Sequence, residues 1–444
     1  MRHRHPHIIA GSGANDPCVR ESFIAKLEWQ KVSWEQMIRI GNLLVSILAA
    51  MTVGAYLGTE ARSHPAEDKK RTHIAVWVGW SGFEYDAFQA VVNDYNKQQD
   101  KIFVDLLSIS GNSLKTLISA SAGLPPEISL LSASEIPQFA DAGAIEPLDE
   151  VCKENGLTED KYVPGYWDVM QYQGHSYALP ATPATIALHY NTDILQSAGY
   201  TKPPETIEEM AEMENKITKI VDGKMVMAGF LPTEPGWWTW AWGPFFGGKL
   251  WDGKSKITFN DPENLRAMEW YSSYSKRFGQ QQLTAYKSGF GVFASPENGF
   301  LAGRVAMEVQ GVWMSNFIKT YSPALKWDAV PFPYPKDRPD LKGHTIVDQD
   351  IFVLLKGCKH RAEAIQFLVY CESQPAMEKL CLGQKKCSPL RNKTDEFWAK
   401  QENPRIRLFD EMAYSKNAFA NPKIAIMPQY QAEISNALDE VALR

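Results

Sequence analysis

From Thr72 to Ala142, apolar strings of two periods alternate, and that alternation restricts this half of the chain to a parallel sheet. THIAVWVG (72–79) reads as a strand that turns out through Trp80-Ser81-Gly82. Phe88, Val91, Val92 and Tyr95 then recur at i, i+3, i+4 and i+7, the period of a helix with one apolar face. A strand from Ile102 to Leu107, a helix around Leu114, Leu117 and Ile118, a strand from Glu127 to Leu131 and a helix from Ile136 to about Ala142 follow. Strand and helix in succession require right-handed crossovers with helices on both faces of the sheet. Ligands of such sheets sit beyond the C-terminal strand ends. Here these are Trp80 to Glu84, Ser108 to Asn112 and Ser132 to Ser134.

The pattern changes after Ser176. Ser176 to Pro180 and Ile186 to Asn191 read as extended pieces broken by Pro180 and Pro183, and a second α/β unit begins near Asn191. Thr206-Ile-Glu-Glu209 is a capping box, in which the Thr hydroxyl and the Glu carboxylate each satisfy an orphan amide. Asp261-Pro262 opens a helix to about Lys276, and Ser295-Pro296 is expected to open another ending near Gly303. Val305 to Val309 reads as a strand that delivers Gly311 and Trp313. Thr345 to Leu355 is extended, a helix carries Ala364, Ile365, Leu368 and Cys371 on one face, and the last helical region starts at Asn403-Pro404, interrupted by Pro422 and Pro428.

Between Phe230 and Trp251 stand five of the chain's 14 Trp and three Phe. Pro235 suits a first helical turn and Gly247-Gly248 an end, so a short helix from about Pro235 to Phe246 is expected. On it Trp238, Trp242 and Phe245 form one apolar stripe directed to the core, leaving Trp237, Trp240 and Glu234 for another use. A flat indole beside a carboxylate suits a sugar ring, whose C–H face packs on the aromatic while its hydroxyls bond the acid.

The N-terminal 71 residues carry ten Lys/Arg against seven Asp/Glu, so the remainder, 36 against 45, has a charge of −9. An acidic body without basic runs argues against a nucleic-acid partner. Leu43 to Leu57 is an uncharged apolar run of 15 residues, short for a bilayer span of about 20. It fits a secretory signal, with Arg39 before it and Val53-Gly54-Ala55 as a cleavage site; an uncleaved anchor is the alternative. Export permits disulfides, but Cys152, Cys358, Cys371, Cys381 and Cys387 are an odd set; Cys381 and Cys387 could pair, and Cys371 sits on an apolar face. No CxxC spacing exists and no metal site or cofactor is expected.

The chain resembles the bacterial extracellular solute-binding proteins of ABC sugar importers, family 1, which include maltose-binding and glycerol-phosphate-binding proteins. The strings that carry the resemblance stand in family order from Thr72 to Leu443. They are AGLPPEI (122–128), DAGAIEPLDE (141–150), YALP (177–180), LHYNTDILQSAGYTKPPETIEEM (188–210), EPGWWTWAWGPFFGGKLWD (234–252), FLAGRVAMEVQGVW (300–313) and KHRAEAIQFLVY (359–370). The resemblance implies a two-lobed α/β fold of the type II periplasmic-binding-protein kind, each lobe a mainly parallel sheet flanked by helices and joined by a hinge. Residues 1–71 would be extension plus signal, 72–190 with 352–398 lobe one, and 191–346 with 402–444 lobe two. The crossings would fall near 190–191, 346–352 and 398–403. It also implies an exported, periplasmic, monomeric protein that captures a sugar and delivers it to the permease subunits of an ABC transporter. The family's stacking aromatic matches Trp313, and its Glu-Pro-aromatic site matches Glu234, Trp237 and Trp238. Two departures bear on the ligand: Leu131-Ser132 replaces an aromatic, and Ala184-Thr185 replaces an acidic residue, which sets this chain apart from maltose binders.

Around those residues the strand ends supply Trp80, Glu84, Asn112 and Ser134, and alternation places Asp348 and Asp350 on one face of a crossing strand. Tyr430 completes the candidate set. A GxGxxA string at Gly289 lacks a leading strand, and Ser273-Tyr-Ser-Lys276 lacks the partners of a nucleophile motif. His175, His189, His344 and His360 show no metal-ligand spacing. Two alternatives stay open: a phosphorylated polyol such as glycerol 3-phosphate as ligand, and a glycoside hydrolase, whose two carboxyls would come from Glu84, Glu234, Asp348 and Asp350.

Overall fold

Strands β1 (Thr72–Val78), β2 (Ile102–Ser108) and β3 (Ile128–Ser132) pair parallel, as the alternating periods require, and the structure places β1 in the middle. The computed structural model describes residues 70–442, which belong to one compact unit, His64–Arg444. The signal-like run and its cleavage site lie outside the described residues. Phe88, Val91, Val92 and Tyr95 are the buried face of helix Gly82–Gln98, in the apolar layer that also takes in helices Arg361–Cys371 and Gln374–Gln384. A second layer around Leu131, Phe139 and Met170 covers the other face.

After the small hairpin β4 (Gln171–Tyr172) and β5 (His175–Ser176) comes β6, Leu179–Asn191, one continuous strand where two pieces broken by prolines were expected. Pro180 and Pro183 are tolerated for a geometric reason. They oppose Ile351 and Gln349, with Ala181 the extra residue of a bulge between them, so the two prolines share one orientation. The edge beside that half carries no strand whose ladder they could interrupt.

The later strands are β7 (Lys219–Val221), β8 (Lys224–Phe230), β9 (Val305–Gly311), β10 (Trp327–Val330), β11 (Thr345–Leu354) and β12 (Ala418–Phe419). The main sheet runs β2-β1-β3-β11-β6-β9-β8-β7, with β10 on β6 and β12 on β11. Parallel pairs lie inside each half (β1 with β2 and β3, β8 with β9), whereas β6 and β11 run antiparallel to each other and link the halves. β6 changes partner between Thr185 and Ile186, leaving β11 for β9.

Two expected helices take another form. Residues 231–238 are turns, with Gly236 at φ 90, and the helix starts only as a 3-10 turn at Thr239–Ala241 followed by Trp242–Phe245. Trp242 and Phe245 are fully buried as the stripe predicts, but Trp240 is buried too, edge-on to Phe419. Residues 295–303 form turns, because the Asn298 side chain accepts from the Phe300 and Leu301 amides and competes with a helix there. The capping box at Thr206 and Glu209 forms both of its bonds, at 3.2 and 3.3 Å. Pro428 sits in the first turn of helix Met427–Ala442 and does not interrupt it.

Candidate functional site

Trp80, just past β1, points its indole N–H at Asp350 Oδ2 on β11, 3.1 Å away. Its ring packs edge-on to Phe88 and Phe352. Glu84 stands one turn into the following helix, and between Glu84 and Asp350 lies a lysine that sequence reasoning missed. Lys386, only 2% exposed, places Nζ 2.8 Å from Glu84 Oε1, 3.4 Å from Asp350 Oδ2 and 5.8 Å from the Trp80 ring. Burial alone would lower the Lys386 pKa, but the two carboxylates outweigh it and hold the ammonium above its ordinary value. A signal was present in Gly383: a Cβ there would come within 2.6 Å of Ala87 Cβ, so this helix approaches helix Gly82–Gln98 closely and carries Lys386 to Glu84.

Asp348, two residues before Asp350, takes a hydrogen bond from the Ser132 hydroxyl at 3.1 Å, and Ser132 in turn meets the Ser134 hydroxyl at 2.8 Å. Asp348 and Ser134 line a small cavity together with Asn421 and Lys423. Desolvation, with the nearby Asp350 and Glu135 charges, pushes the Asp348 carboxyl up to about 7. Because the folded value exceeds the ordinary carboxylate value, its contribution to stability is full below about pH 4 and is lost as pH rises through about 7. Asp348→Asn is therefore expected to gain about 1–2 kcal/mol at pH 8, allowing for partial solvent access, and nothing at pH 4. Urea melts at the two pH values measure this; an equal effect at both would remove the ionisation argument.

In the half of the sheet built on β8 and β9, Trp313 follows β9. A Cβ on Gly311 would lie 2.3 Å from the Trp313 ring, so only glycine lets the indole lie across that backbone. Trp238 is fixed by its indole N–H to Val309 O at 3.1 Å. Trp237 is 41% exposed, 6.5 Å from Trp313 and edge-on to Phe293 at 4.4 Å. Glu234 pairs with Lys287 at 3.1 Å. A string of rings joins the two sides: Phe293 meets Phe317 at 5.1 Å, and Phe317 meets Phe83, the neighbour of Glu84, at 6.0 Å. The Asn316 amide also donates to Gln384 O at 2.8 Å, beside Lys386.

Two sequence candidates fall outside this constellation. The Asn112 amide is directed inward to Ser129 and the Leu130 carbonyl and holds β3 in place. The Tyr430 hydroxyl donates to Leu250 O at 3.0 Å, and its ring packs near Phe259. Cys381 and Cys387 are not paired: all five described cysteines are free, with Cys381 against Met377 and Cys387 against the Ile406 carbonyl. Among the described residues no group of three or more His, Cys, Asp or Glu side chains is placed to hold a metal ion. Nor is any helix among them long and apolar enough to cross a membrane.

The sequence pattern of the bacterial extracellular solute-binding protein family matches residues 82–378. The maltotriose-binding protein of Pyrococcus abyssi is 22% identical over 372 residues, covering 83% of this chain and 77% of that protein. The sn-glycerol-3-phosphate-binding periplasmic protein of Agrobacterium fabrum is 28% identical over 181 residues, 38% of this chain and 39% of that one. Among solved structures, CpMnBP1 with mannobiose bound superposes with a TM-score of 0.75 at 24% identity, covering 84% of this chain and 96% of its own.

Proposed function

Because the chain belongs to the bacterial extracellular solute-binding protein family, we propose that it captures a neutral sugar or oligosaccharide between its two lobes, without turnover, and presents it to the permease of an ABC transporter. In this reading the protein is exported and works as a monomer outside the cytoplasm. The lobes turn about β6 near its change of partner at Thr185–Ile186, a few residues before the expected 190–191, about β11 within 346–352, and about the segment near residues 398–403. Trp313 and Trp237 stack the sugar rings, with Trp238 behind them, and Glu84, Asp350, Ser134, Asp348 and Glu234 accept from or orient hydroxyls.

The observation that carries the choice of a neutral ligand is the state of the cations. Lys386 is held by Glu84 and Asp350, Lys287 by Glu234, and Lys423, at the edge of the Asp348 cavity, by Asp168 at 3.0 Å. A phosphate entering between the lobes would meet carboxylates and ammonium groups already neutralised, whereas a sugar hydroxyl can donate to those carboxylate oxygens without a net change of charge. The same pairing bears on catalysis, since Glu84 and Asp350 share one ammonium and Glu234 has its own.

The test is thermal shift and calorimetry with mannobiose, maltotriose, a wider panel of neutral sugars and polyols, and glycerol 3-phosphate. Neutral sugars are expected to raise the melting temperature, because ligand that binds only the folded state stabilises it by mass action. Their affinity should change less than about twofold between 50 and 500 mM salt, since no net ion pair forms. Tight, strongly salt-dependent binding of glycerol 3-phosphate alone would sink the neutral-ligand reading, and release of new reducing ends would sink the absence of turnover.

A further inference from the structure

Beneath Trp313, β9 carries two polar side chains into the buried interior. Glu308 is 2% exposed and Gln310 fully buried, on the same face of the strand and opposite His189 and Ala187 of β6. No lysine or arginine pairs with Glu308 among the described residues; its Oε1 accepts from the Gln310 amide at 3.2 Å and from Asn298 at 3.5 Å, and Oε2 has no partner. Gln310 Oε1 in turn accepts the Trp313 indole N–H at 3.1 Å.

This chain of bonds has only one sense. An indole N–H can only donate, so the oxygen end of Gln310 must face Trp313. The NH₂ end then faces Glu308, whose carboxylate offers an acceptor at that end in either protonation state. Without that acceptor only the Gly311 backbone N–H, which donates to the same Oε1 at 3.4 Å, opposes rotation of the Gln310 amide, and Trp313 loses the firm partner that sets its angle over Gly311. Stability alone does not account for the arrangement, since an uncompensated buried carboxylate is a cost that an apolar side chain of similar shape would avoid.

We infer that Glu308 and Gln310 are positioning residues that lock the Trp313 indole flat across Gly311, so that it meets ligand as a preformed platform. The inference rests on the reading of Trp313 as a sugar platform, but the locking itself can be measured without ligand. In the intact protein, solvent exchange of the Trp313 indole N–H is followed by nitrogen-15 NMR, its signal assigned by its loss in Trp313→Phe. Glu308→Met should speed that exchange at least tenfold while the urea midpoint stays level or rises. Glu308→Gln, which keeps a carbonyl oxygen facing Gln310, should stay within twofold of the parent. Gln310→Leu should match Glu308→Met.

With mannobiose and maltotriose as probes, Glu308→Met should weaken binding three- to tenfold and add nothing in a Trp313→Ala background. Unchanged exchange in both Glu308→Met and Gln310→Leu would overturn the inference. Unfolding of both variants would overturn it too, by assigning the pair to fold stability. Faster exchange with no binding of any neutral sugar by the parent would uphold the locking and reject the proposed function instead.

Discussion

Trp313→Ala is expected to weaken sugar binding by roughly 50- to 100-fold, the largest loss of affinity from any single substitution in the cleft. A sugar ring covering about 100 Å² of indole, at about 25 cal/mol/Å², accounts for about 2.5 kcal/mol. At about 1.4 kcal/mol per decade that is the stated factor. The ring also packs against both neighbouring apolar clusters and holds Gln310, so the empty protein should lose about 1–2 kcal/mol of stability as well. Calorimetry with a sugar identified by thermal shift, run beside urea melts of the empty variant, separates the two. A loss of several kcal/mol in stability with affinity unmoved would make Trp313 a core residue and remove the platform.

Lys386→Met should have the largest effect on stability. Removing one partner of a buried charge group typically costs about 3–5 kcal/mol. Glu84 and Asp350 keep side-chain exposures of 25 and 30%, so the expected loss is nearer 2–3 kcal/mol at pH 7. The loss comes from two carboxylates left facing each other beside Trp80. Adding Glu84→Gln to Lys386→Met should recover a substantial part of it at neutral pH. Urea melts of the single and double variants at pH 7 test this. An unaltered midpoint in Lys386→Met would mean that the ammonium contributes nothing to holding these elements together.

Much of the fold was legible because it rests on local period. The helix of Phe88, Val91, Val92 and Tyr95 buries those four side chains and no others, and its flanking strands pair in parallel as alternation demands. The capping box at Thr206 forms because its partners lie three residues apart. Trp313 was legible for a similar reason: a strand ending in glycine followed by an aromatic leaves the ring at the strand's end, across the glycine.

Where the reading failed, partners far apart in the chain decided the outcome. Trp237 and Trp240 look equivalent on a helical wheel, yet residues 231–238 make turns and Phe419 covers Trp240, so one indole is exposed and the other is core. Pro180 and Pro183 read as breaks because nothing local shows that a bulge gives them one orientation at an unpaired edge. Lys386 was invisible because its meaning depends on Glu84 and Asp350, on two other elements. The α/β class and the parallel pairing of the first three strands were thus determined by the sequence itself, through periodicity and residue types within a few positions. Which of these side chains meet was decided only by the tertiary structure, because β6 and β11 bring distant segments together and electrostatic pairing depends on distance in space.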